Sequence, residues 1–441
     1  METKEEILRL IEEEDVEFIR LQFTDLHGTL KNVAVTAGQL EKILNNGCLF
    51  DMAAVDSVCD PTSSERMLVP DYSTFEIFPW RPQQGRVARL LCSICYPDGS
   101  LSKGDPRAIL KSVTDKAALD GLRIEVGPEC EFFLFETDEN ANPTVITHEQ
   151  AGYFDIGPLD EGENARRDIV MTLEEMGFDI GASHHETAPA QHEIDMSYGE
   201  ANEIADKIQT FKLAVRTIAK RHGLHATFMP KPKNDVNGSA MHLNISVFKG
   251  DVNIFYDESD ENGLSKEAYW FIGGLIKHMP AMTAVLNPLV NSYKRLVPEY
   301  APVYIAWSTL NRNQMIRIPV RRNINSTRIE LRNPDSSCNP YLALALCIAA
   351  GLDGIKNKIQ PPAAVDADIR KMSMQERKEL GIERLPLSLN DALDAFEKDD
   401  FVKSVLGEYA VSKFTEAKRK EWDDYSSFVS QWELNEYLNR Y

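Results

Sequence analysis

One stretch, residues 127–136, constrains the fold of this chain more than any other. It reads Gly-Pro-Glu-Cys-Glu-Phe-Phe-Leu-Phe-Glu. The apolar run at 132–135 favours a β-strand, and the Gly-Pro pair marks its entry. Alternate side chains of a strand share a face, so Glu129 and Glu131 are predicted to stand side by side, roughly 7 Å apart. Two carboxylates this close to an apolar run either face water or need a cation beside them.

Composition narrows the class of protein. A chain of 441 residues is long enough for two domains. Its 43% hydrophobic and 27% charged residues are typical of a soluble globular protein, and its net charge of -21 argues against binding to nucleic acid or to an anionic membrane. The N-terminal residues show no signal-peptide pattern, and no apolar run approaches ~18 residues. We therefore expect a cytoplasmic protein without a membrane span.

The seven cysteines do not form a disulfide or zinc pattern. Cys92 and Cys95 have the spacing of a Cys-x-x-Cys pair, but they lie in a mostly apolar run with no second pair downstream. Buried thiols in a reducing compartment are the favoured interpretation.

The hydrophobic patterning predicts an α+β protein with two units. A small unit that ends near residue 104 is predicted to begin with a helix at 4–14, a hairpin from strands at 16–23 and 29–35, and a helix at 36–45. The larger unit, 105–441, starts with a helix capped by Asp105 and contains the strand of Glu129. We expect domains at 1–104 and 105–441.

Further segments with strand-like alternation carry residues that bind metals. Glu186 follows a His-His pair, and Glu193, His242 and Glu330 each lie in an alternating segment. Taken singly, each glutamate is explained as a solvated side chain, and the histidine as a residue of the core. With the first pair they form a set of five glutamates and one histidine, namely Glu129, Glu131, Glu186, Glu193, His242 and Glu330. Oxygen ligands with one imidazole suit Mg²⁺ or Mn²⁺, and clustered divalent ions serve phosphoryl transfer.

Arginines are dense in one segment of this acidic chain. Six lie within 21 residues: Arg312, Arg317, Arg321, Arg322, Arg328 and Arg332. They form either a solvated strand edge or a clamp for nucleotide phosphates and a substrate carboxylate. No Walker A loop is present, so metal and arginine would hold the phosphates. These residues predict an ATP- and Mg²⁺-dependent enzyme that acts on a carboxylate.

Seven long motifs, in order along the chain, resemble the type I glutamine synthetase family of bacteria and archaea. They are GPECEFFLF (127–135), PLDEGENARRD (158–168), SHHETAPAQHEI (183–194), HGLHATFMPKP (222–232), NGSAMH (237–242), NSYKRLVP (291–298) and ELRNPDSSCNPYL (330–342). The resemblance implies an N-terminal β-grasp domain and a catalytic domain with a curved antiparallel sheet. It also implies a dodecamer of two stacked hexameric rings whose active sites are shared by neighbouring subunits.

The resemblance also implies roles for individual residues. Glu131, Glu186 and Glu193 would hold one metal ion, and Glu129, His242 and Glu330 the other. Glutamate would be bound by Arg295, Arg332, Asn237 and Gly238, and the nucleotide and its phosphates by Phe228, Ser246, Arg312 and Arg317. Tyr153 and Asp51 would belong to the ammonium site. The implied reaction phosphorylates the γ-carboxylate of glutamate with ATP, after which ammonia displaces phosphate.

Departures from the family's pattern fall near the ammonium site. Ala54 replaces a serine, and the flap segment at 297–302 is one residue shorter, which displaces its glutamate to Glu299. Three interpretations stay open: a working ammonia site, a site rebuilt for another amine such as a polyamine or ethanolamine, and a non-catalytic structural or regulatory homologue. Asp60 stands where relatives with glutamine feedback tend to carry an arginine, so any such control is expected to be altered.

Overall fold

The computed structural model describes residues 3–55, 61–321 and 323–441. Two residues that the sequence analysis singled out, Asp60 and Arg322, lie outside these ranges, as does one of the seven cysteines, Cys59. Nothing in the structure therefore bears on the interpretation of Asp60.

The N-terminal part is a mixed sheet with two helices. Its elements are α1 (Lys4–Glu13), β1 (Val16–Thr24), β2 (Leu30–Thr36), α2 (Ala37–Asn46), β3 (Cys48–Asp51), β4 (Glu65–Pro70), β5 (Glu76–Ile77) and β6 (Arg86–Cys95). The strand order is β2-β1-β6-β4-β3, with β5 paired to β6 and with β1 and β6 parallel. The predicted hairpin and its flanking helices are confirmed to within one or two residues.

The larger part adds the remaining helices and strands. They are α3 (Pro106–Leu119), β7 (Leu122–Glu136), α4 (Glu163–Glu175), β8 (Ile180–His185), β9 (Gln191–Met196), β10 (Gly199–Glu200), α5 (Ala201–Arg221), β11 (Leu224–Thr227), β12 (Met241–Lys249), β13 (Val252–Asn253), α6 (Lys266–Leu286), α7 (Ser292–Arg295), β14 (Tyr304–Ile305), β15 (Trp307–Ser308), β16 (Ile316–Arg317), β17 (Ile329–Leu331), α8 (Pro340–Asn357), α9 (Met374–Glu379), β18 (Glu383–Arg384), α10 (Leu389–Lys398), α11 (Asp400–Leu406), α12 (Glu408–Ser426) and α13 (Gln431–Tyr437).

The large sheet runs in the order β15-β16-β17-β12-β7-β9-β8, and β10 and β11 pair with β7. Its neighbours are antiparallel except for β15 and β16. Strand β7 is central in this order, and every second residue from Ile124 to Leu134, which together form one face, is buried. Phe132 and Leu134 on that face are fully buried, and Phe132 packs edge-on against Phe211 of α5. The opposite face of β7 carries Glu129 and Glu131.

Helices α6 and α8 pack against each other in an apolar layer, and small residues let them approach closely. A Cβ on Gly274 would lie 2.0 Å from the carbonyl oxygen of Ala350, and a Cβ on Gly354 would lie 2.0 Å from that of Trp270. Any side chain at these positions would force the two backbones apart. The long apolar segment that includes α8 is thus a buried helix, as its length predicted, and no helix among the described residues is long and apolar enough to cross a membrane.

Two local predictions are confirmed. Asp105 caps α3 by accepting a hydrogen bond from the backbone N–H of Arg107 (3.1 Å). Cys92 and Cys95 are buried free thiols in β6, where positions three apart point to opposite faces of the strand. They cannot form a shared metal site. The domain boundary at residue 104 stays a prediction.

Candidate active site

Three neighbouring strands bring Glu129, His242 and Glu330 together. Strand register places His242 of β12 opposite Glu129 of β7, and Glu330 of β17 opposite Asn244, two residues further along β12. His242 Nδ1 lies 2.9 Å from Glu129 Oε2 and 3.8 Å from Glu330 Oε1. Ligand atoms of all three residues lie within 4.8 Å of one another. The structure thus brings together one of the two predicted metal sets.

The other predicted set lies on the same sheet face. Glu131 pairs in register with Glu193 of β9, and Glu186 directly follows β8. Burial raises the pKa of Glu131, and the charge of Glu186 raises it further. Burial also raises the pKa of Glu193 well above its usual value, and the nearby charge of Glu131 adds to that rise. Crowded carboxylates that resist ionisation in this way are a suitable environment for a divalent cation.

Glu129 shows the opposite shift. Burial alone would raise its pKa, but hydrogen bonds from His242 and Asn244 outweigh burial and lower the pKa to about 2. Asn244 Nδ2 donates to Glu129 Oε1 at 2.9 Å. A carboxylate held ionised beside an imidazole is a ready ligand for Mg²⁺ or Mn²⁺.

Residues that orient the carboxylates were missed by the sequence analysis as site residues. Gln191 is buried, and its Nε2 donates to Glu131 Oε2 (2.9 Å), which also accepts from the backbone N–H of Ala240 (2.8 Å). The available signal was strand alternation, since Gln191 lies two residues before Glu193 and Asn244 lies two residues after His242. Alternation identifies the face, whereas the contacts depend on register between strands that are distant in sequence.

The predicted arginine cluster is not a single surface. Arg317 Nη1 donates to Glu330 Oε2 (2.9 Å), and Arg332 pairs with Glu330 Oε1. Arg328 Nε donates to Asn244 Oδ1 (3.1 Å). Arg312 is exposed, and Arg321 lies on the surface over the ring of Tyr256. Among the described arginines, Arg317, Arg328 and Arg332 thus contact the sheet face that carries the carboxylates, whereas Arg312 and Arg321 are exposed, and the clamp stays a prediction.

A cavity of about 250 Å³ lies beside Arg332. It is lined by Asn237 and the 298–302 segment, and on the other side by Asp368 and Arg370. Among the described residues, the buried Nε of Arg332 has no hydrogen-bond partner. Glu299 is exposed in the lining of this cavity. Asp368 raises the pKa of Arg370 most, and the negative charge of Glu299 adds to that rise.

Two of the predicted glutamate-binding residues are held close to this cavity by the backbone. A Cβ on Gly238 would lie 2.1 Å from the carbonyl oxygen of Pro230, so only glycine fits there. Arg295 is buried and donates to the carbonyl oxygens of Asn333 (2.9 Å) and Arg332 (3.3 Å). Its guanidinium thus fixes the chain segment that carries Arg332.

A second cavity, of about 440 Å³, continues along the face of β12. Ser246 and Phe248 line it, two and four residues beyond Asn244, with Tyr198 across from them. Phe228, which was predicted beside the nucleotide, is not brought to this cavity. It is buried on the other face of the sheet against Phe132.

The two residues predicted for an ammonium site make their contacts in different parts of the fold. Tyr153 stacks on Phe154 and meets the ring of His184 edge-on. Burial raises the pKa of Tyr153, as do the charges of Glu186 and Glu193, which places Tyr153 beside the carboxylates. Asp51 belongs to the N-terminal sheet, where it caps a short 3₁₀ turn through the N–H of Ala53 (2.9 Å), and it is exposed.

Behind the carboxylates lies a buried polar layer. Asp160, His185 and His192 have ligand atoms within 4.8 Å of one another. However, Arg166 Nη1 already lies 2.6 Å from Asp160 and 2.8 Å from His192 Nδ1, which supplies the positive charge there. His185 Nδ1 lies 2.6 Å from the carbonyl oxygen of Glu186 and so fixes the backbone of that residue. This layer supports the site and is a poor cation site itself.

Comparison with known proteins agrees with this geometry. The family model described as glutamine synthetase, catalytic domain, matches residues 103–437, and the one described as glutamine synthetase, beta-Grasp domain, matches residues 15–97. A protein named glutamine synthetase from Clostridium saccharobutylicum is 56% identical over 440 residues, 100% of this chain and 99% of that protein. One from Staphylococcus aureus is 51% identical over 441 residues, with the same coverage.

Solved structures show the same fold. A structure described as apo GmaS without ligand has a TM-score of 0.88 at 34% identity, covering 98% of this chain and 99% of that chain. A cryo-EM structure of Plasmodium falciparum glutamine synthetase has a TM-score of 0.89 at 26% identity, covering 99% of both chains. The predicted β-grasp and catalytic-domain fold is thereby confirmed. This chain belongs to the glutamine synthetase family.

Proposed function

We propose that this enzyme joins ammonia to the γ-carboxylate of glutamate with hydrolysis of ATP, through γ-glutamyl phosphate. The observation that carries the proposal is the single sheet face on which Glu129, His242 and Glu330 cluster beside Glu131 and Glu193. Full-length relatives named glutamine synthetase support it independently.

The donor set fits two divalent ions, Mg²⁺ or Mn²⁺. One would be held by Glu131, Glu186 and Glu193, and the other by Glu129, His242 and Glu330. Such ions neutralise charge on a transferred phosphoryl group and its leaving group. The strands hold the ligands in place beforehand, because Gln191 and Asn244 fix two of the carboxylates by hydrogen bonds.

The cavity beside Arg332 suits glutamate. Arg332 lines the cavity and would donate to a substrate carboxylate, while its Nη1 stays on Glu330. Asn237 lines the same cavity, and Gly238 allows the backbone to approach closely. Arg295 contributes positive charge and holds the segment of Arg332. Together they would direct the γ-carboxylate of the substrate towards the metal ligands.

The cavity along β12 suits ATP. Ser246 and Phe248 would border the base or sugar, and the phosphates would reach back past Asn244 to the carboxylate cluster. Arg317, anchored on Glu330, and the exposed Arg312 would stabilise the negative charge of the moving phosphoryl group. Phe228 lies on the opposite face of the sheet, where it packs on Phe132.

The ammonium site would need a second subunit. Tyr153 is beside the carboxylates, whereas Asp51 lies in the N-terminal sheet and is hydrogen-bonded there to Ala53 and Ser64. We propose a dodecamer of two hexameric rings in which Asp51 of one subunit completes the site of its neighbour and takes a proton from ammonium. Exposed apolar residues near the C-terminus, including Phe428, Trp432 and Leu438, support contacts between copies.

Exclusion of water is required for the second step, because water would compete with ammonia for the acyl phosphate. The 298–302 segment borders the glutamate cavity and is the natural cover for it. Glu299 is its only carboxylate and would assist deprotonation of ammonium. The six described cysteines are free thiols, which suits a reducing cytoplasm.

The nitrogen donor is tested by a matched set of assays. Phosphate release and glutamine formation are measured with glutamate, ATP and Mg²⁺, and with ammonium, methylamine, ethanolamine or putrescine. We expect glutamine and phosphate in equal amounts with ammonium, and a much lower rate with each amine. Turnover that requires an amine and ignores ammonium would reject glutamine synthesis. Failure of every donor, with intact assembly and no nucleotide binding, would favour the non-catalytic interpretation.

A further inference from the structure

A cleft of about 490 Å³ separates the N-terminal hairpin β1–β2 from the catalytic part of the chain. It lies on the side of β7 opposite the carboxylate cluster, since its wall includes Phe228, which packs on Phe132. Lys212 and Arg216 of α5 form one wall, and Lys31 of β2 lies in the other. The proposed reaction makes no use of this cleft.

The charges lining the cleft are of one sign. It contains Lys31, Lys212 and Arg216, and no carboxylate is among the described residues that line it. Within the described part of the chain, one ion pair involves these three cations, between the ammonium of Lys31 and Asp25 (4.0 Å). A patch with three cations and no lining acid is unexpected in a chain with a net charge of -21.

The cations have unused hydrogen-bonding capacity. Lys212 is buried, and among the described residues its ammonium donates one hydrogen bond, to the carbonyl oxygen of Cys338 (3.1 Å). Arg216 lies with its guanidinium 5.3 Å from the centre of the Phe228 ring and, within the described part of the chain, makes no hydrogen bond or ion pair. Burying an ammonium without an anion is costly, so an anionic ligand would be stabilised here.

The walls of the cleft are held rigidly. Gln209 Nε2 donates to the carbonyl oxygen of Gly28 in the hairpin turn (3.1 Å), and Asn339 Nδ2 donates to the carbonyl oxygens of Asp25 and Leu26 (3.2 Å each). Gly28 has φ +86°, and a Cβ there would lie 2.9 Å from Asn339 Cα. The cations are therefore positioned before any ligand arrives, which lowers the entropic cost of binding.

The cleft is connected to the metal-binding strand through one hydroxyl. Ser336 lines the cleft, and its Oγ lies 2.9 Å from the carbonyl oxygen of Glu131 and 2.7 Å from that of Ala240. The backbone N–H of Ala240 in turn donates to the carboxylate of Glu131. A ligand that contacts Ser336 would thus act on the backbone that positions Glu131.

We propose that this cleft is a regulatory site for a small metabolite carrying carboxylate or phosphate groups, held by Lys31, Lys212 and Arg216. Binding itself does not depend on the proposed reaction, whereas the effect on catalysis rests on it. A site on the far side of the sheet from the substrates can respond to a metabolite that does not resemble them.

Anion binding is measured by calorimetry on the intact enzyme in EDTA, with inorganic phosphate and with succinate as probes. The variants are Arg216→Gln in the cleft, Arg317→Gln at the proposed phosphate site, and Lys220→Gln as a control one turn further along α5, outside the cleft. We expect at least one probe to bind the parent chain and to weaken about 10- to 100-fold in Arg216→Gln. Binding should stay within threefold of the parent in Arg317→Gln and Lys220→Gln.

Other outcomes overturn the proposal. Loss of binding only in Arg317→Gln would place the anion at the active site, and equal loss in Lys220→Gln would mean a nonspecific charge effect. Failure of both probes to bind the parent chain would also reject it. Arg216→Lys, which keeps the charge, should restore part of the affinity. If binding behaves as expected but no ligation activity exists with any nitrogen donor, the proposed function fails and the anion site stands.

Discussion

Replacing Glu129 with glutamine should remove one metal ion from the site and leave the other. The substitution keeps the shape of the side chain and an oxygen that can accept from Asn244, but it deletes one negative charge from the group formed with His242 and Glu330. A pair of unit charges about 4 Å apart interacts by roughly 4 kcal/mol at an effective dielectric constant of about 20. That energy corresponds to about a 1,000-fold rise in the dissociation constant.

Electron paramagnetic resonance of free Mn²⁺ counts the bound ions and gives their dissociation constants. We expect the parent enzyme to bind two ions per subunit, and Glu129→Gln to weaken one of them about 1,000-fold while the other changes less than tenfold. Glu136→Gln, at the far end of β7, is the matched control and should bind as the parent does. Two unaltered sites in Glu129→Gln would refute the assignment of this residue as a ligand.

Three other perturbations test separate parts of the structure. Arg332→Lys should raise the KM for glutamate about 10- to 100-fold and leave the KM for ATP nearly constant in steady-state kinetics, because lysine lacks the fork that spans Glu330 and the cavity. Gly238→Ala should lower kcat/KM for glutamate at least about tenfold with unchanged circular dichroism, because the new Cβ would lie 2.1 Å from the carbonyl oxygen of Pro230. Burial raises the pKa of Asp105 to about 6, above the unfolded value near 3.9. The stability contributed by its protonation is present below about pH 4 and is lost as the pH rises through 6. The difference in free energy of unfolding between the parent and Asp105→Asn, measured by urea denaturation, should therefore fall by on the order of 2–3 kcal/mol between pH 4 and 7. The first prediction would be contradicted if Arg332→Lys changed the KM values for glutamate and ATP by the same factor, and the second if Gly238→Ala left kcat/KM unchanged. A difference in unfolding free energy that does not vary with pH would contradict the third.

The sequence predicted the strands and the faces of the active site well, because both depend on local alternation. Glu129 and Glu131 share a face of β7 for the same reason that Phe132 and Leu134 share the other. The pairing of Glu129 with His242 could not be read from the chain, because register between β7 and β12 is set by packing over more than 100 residues.

Other features of the site depend on packing in the same way. Phe228 directly follows β11, and its side chain packs on Phe132, on the opposite face of the sheet from the cavity lined by Ser246. Gln191 and Asn244 were not singled out because an amide becomes part of a site only when a neighbouring strand places a carboxylate beside it. The described arginines of 312–332 separate in space, since Arg317 lies in β16 and Arg328 and Arg332 flank β17, whereas Arg312 and Arg321 lie in exposed segments outside the strands.

The most direct test of the central claim is an anomalous-scattering map at the manganese edge from crystals grown with Mn²⁺ and a non-hydrolysable ATP analogue. Two peaks per subunit are predicted, one within about 2.5 Å of oxygens from Glu131, Glu186 and Glu193, and one within that distance of Glu129, His242 and Glu330. Peaks elsewhere in the subunit, with this sheet face left without an ion, would contradict the account.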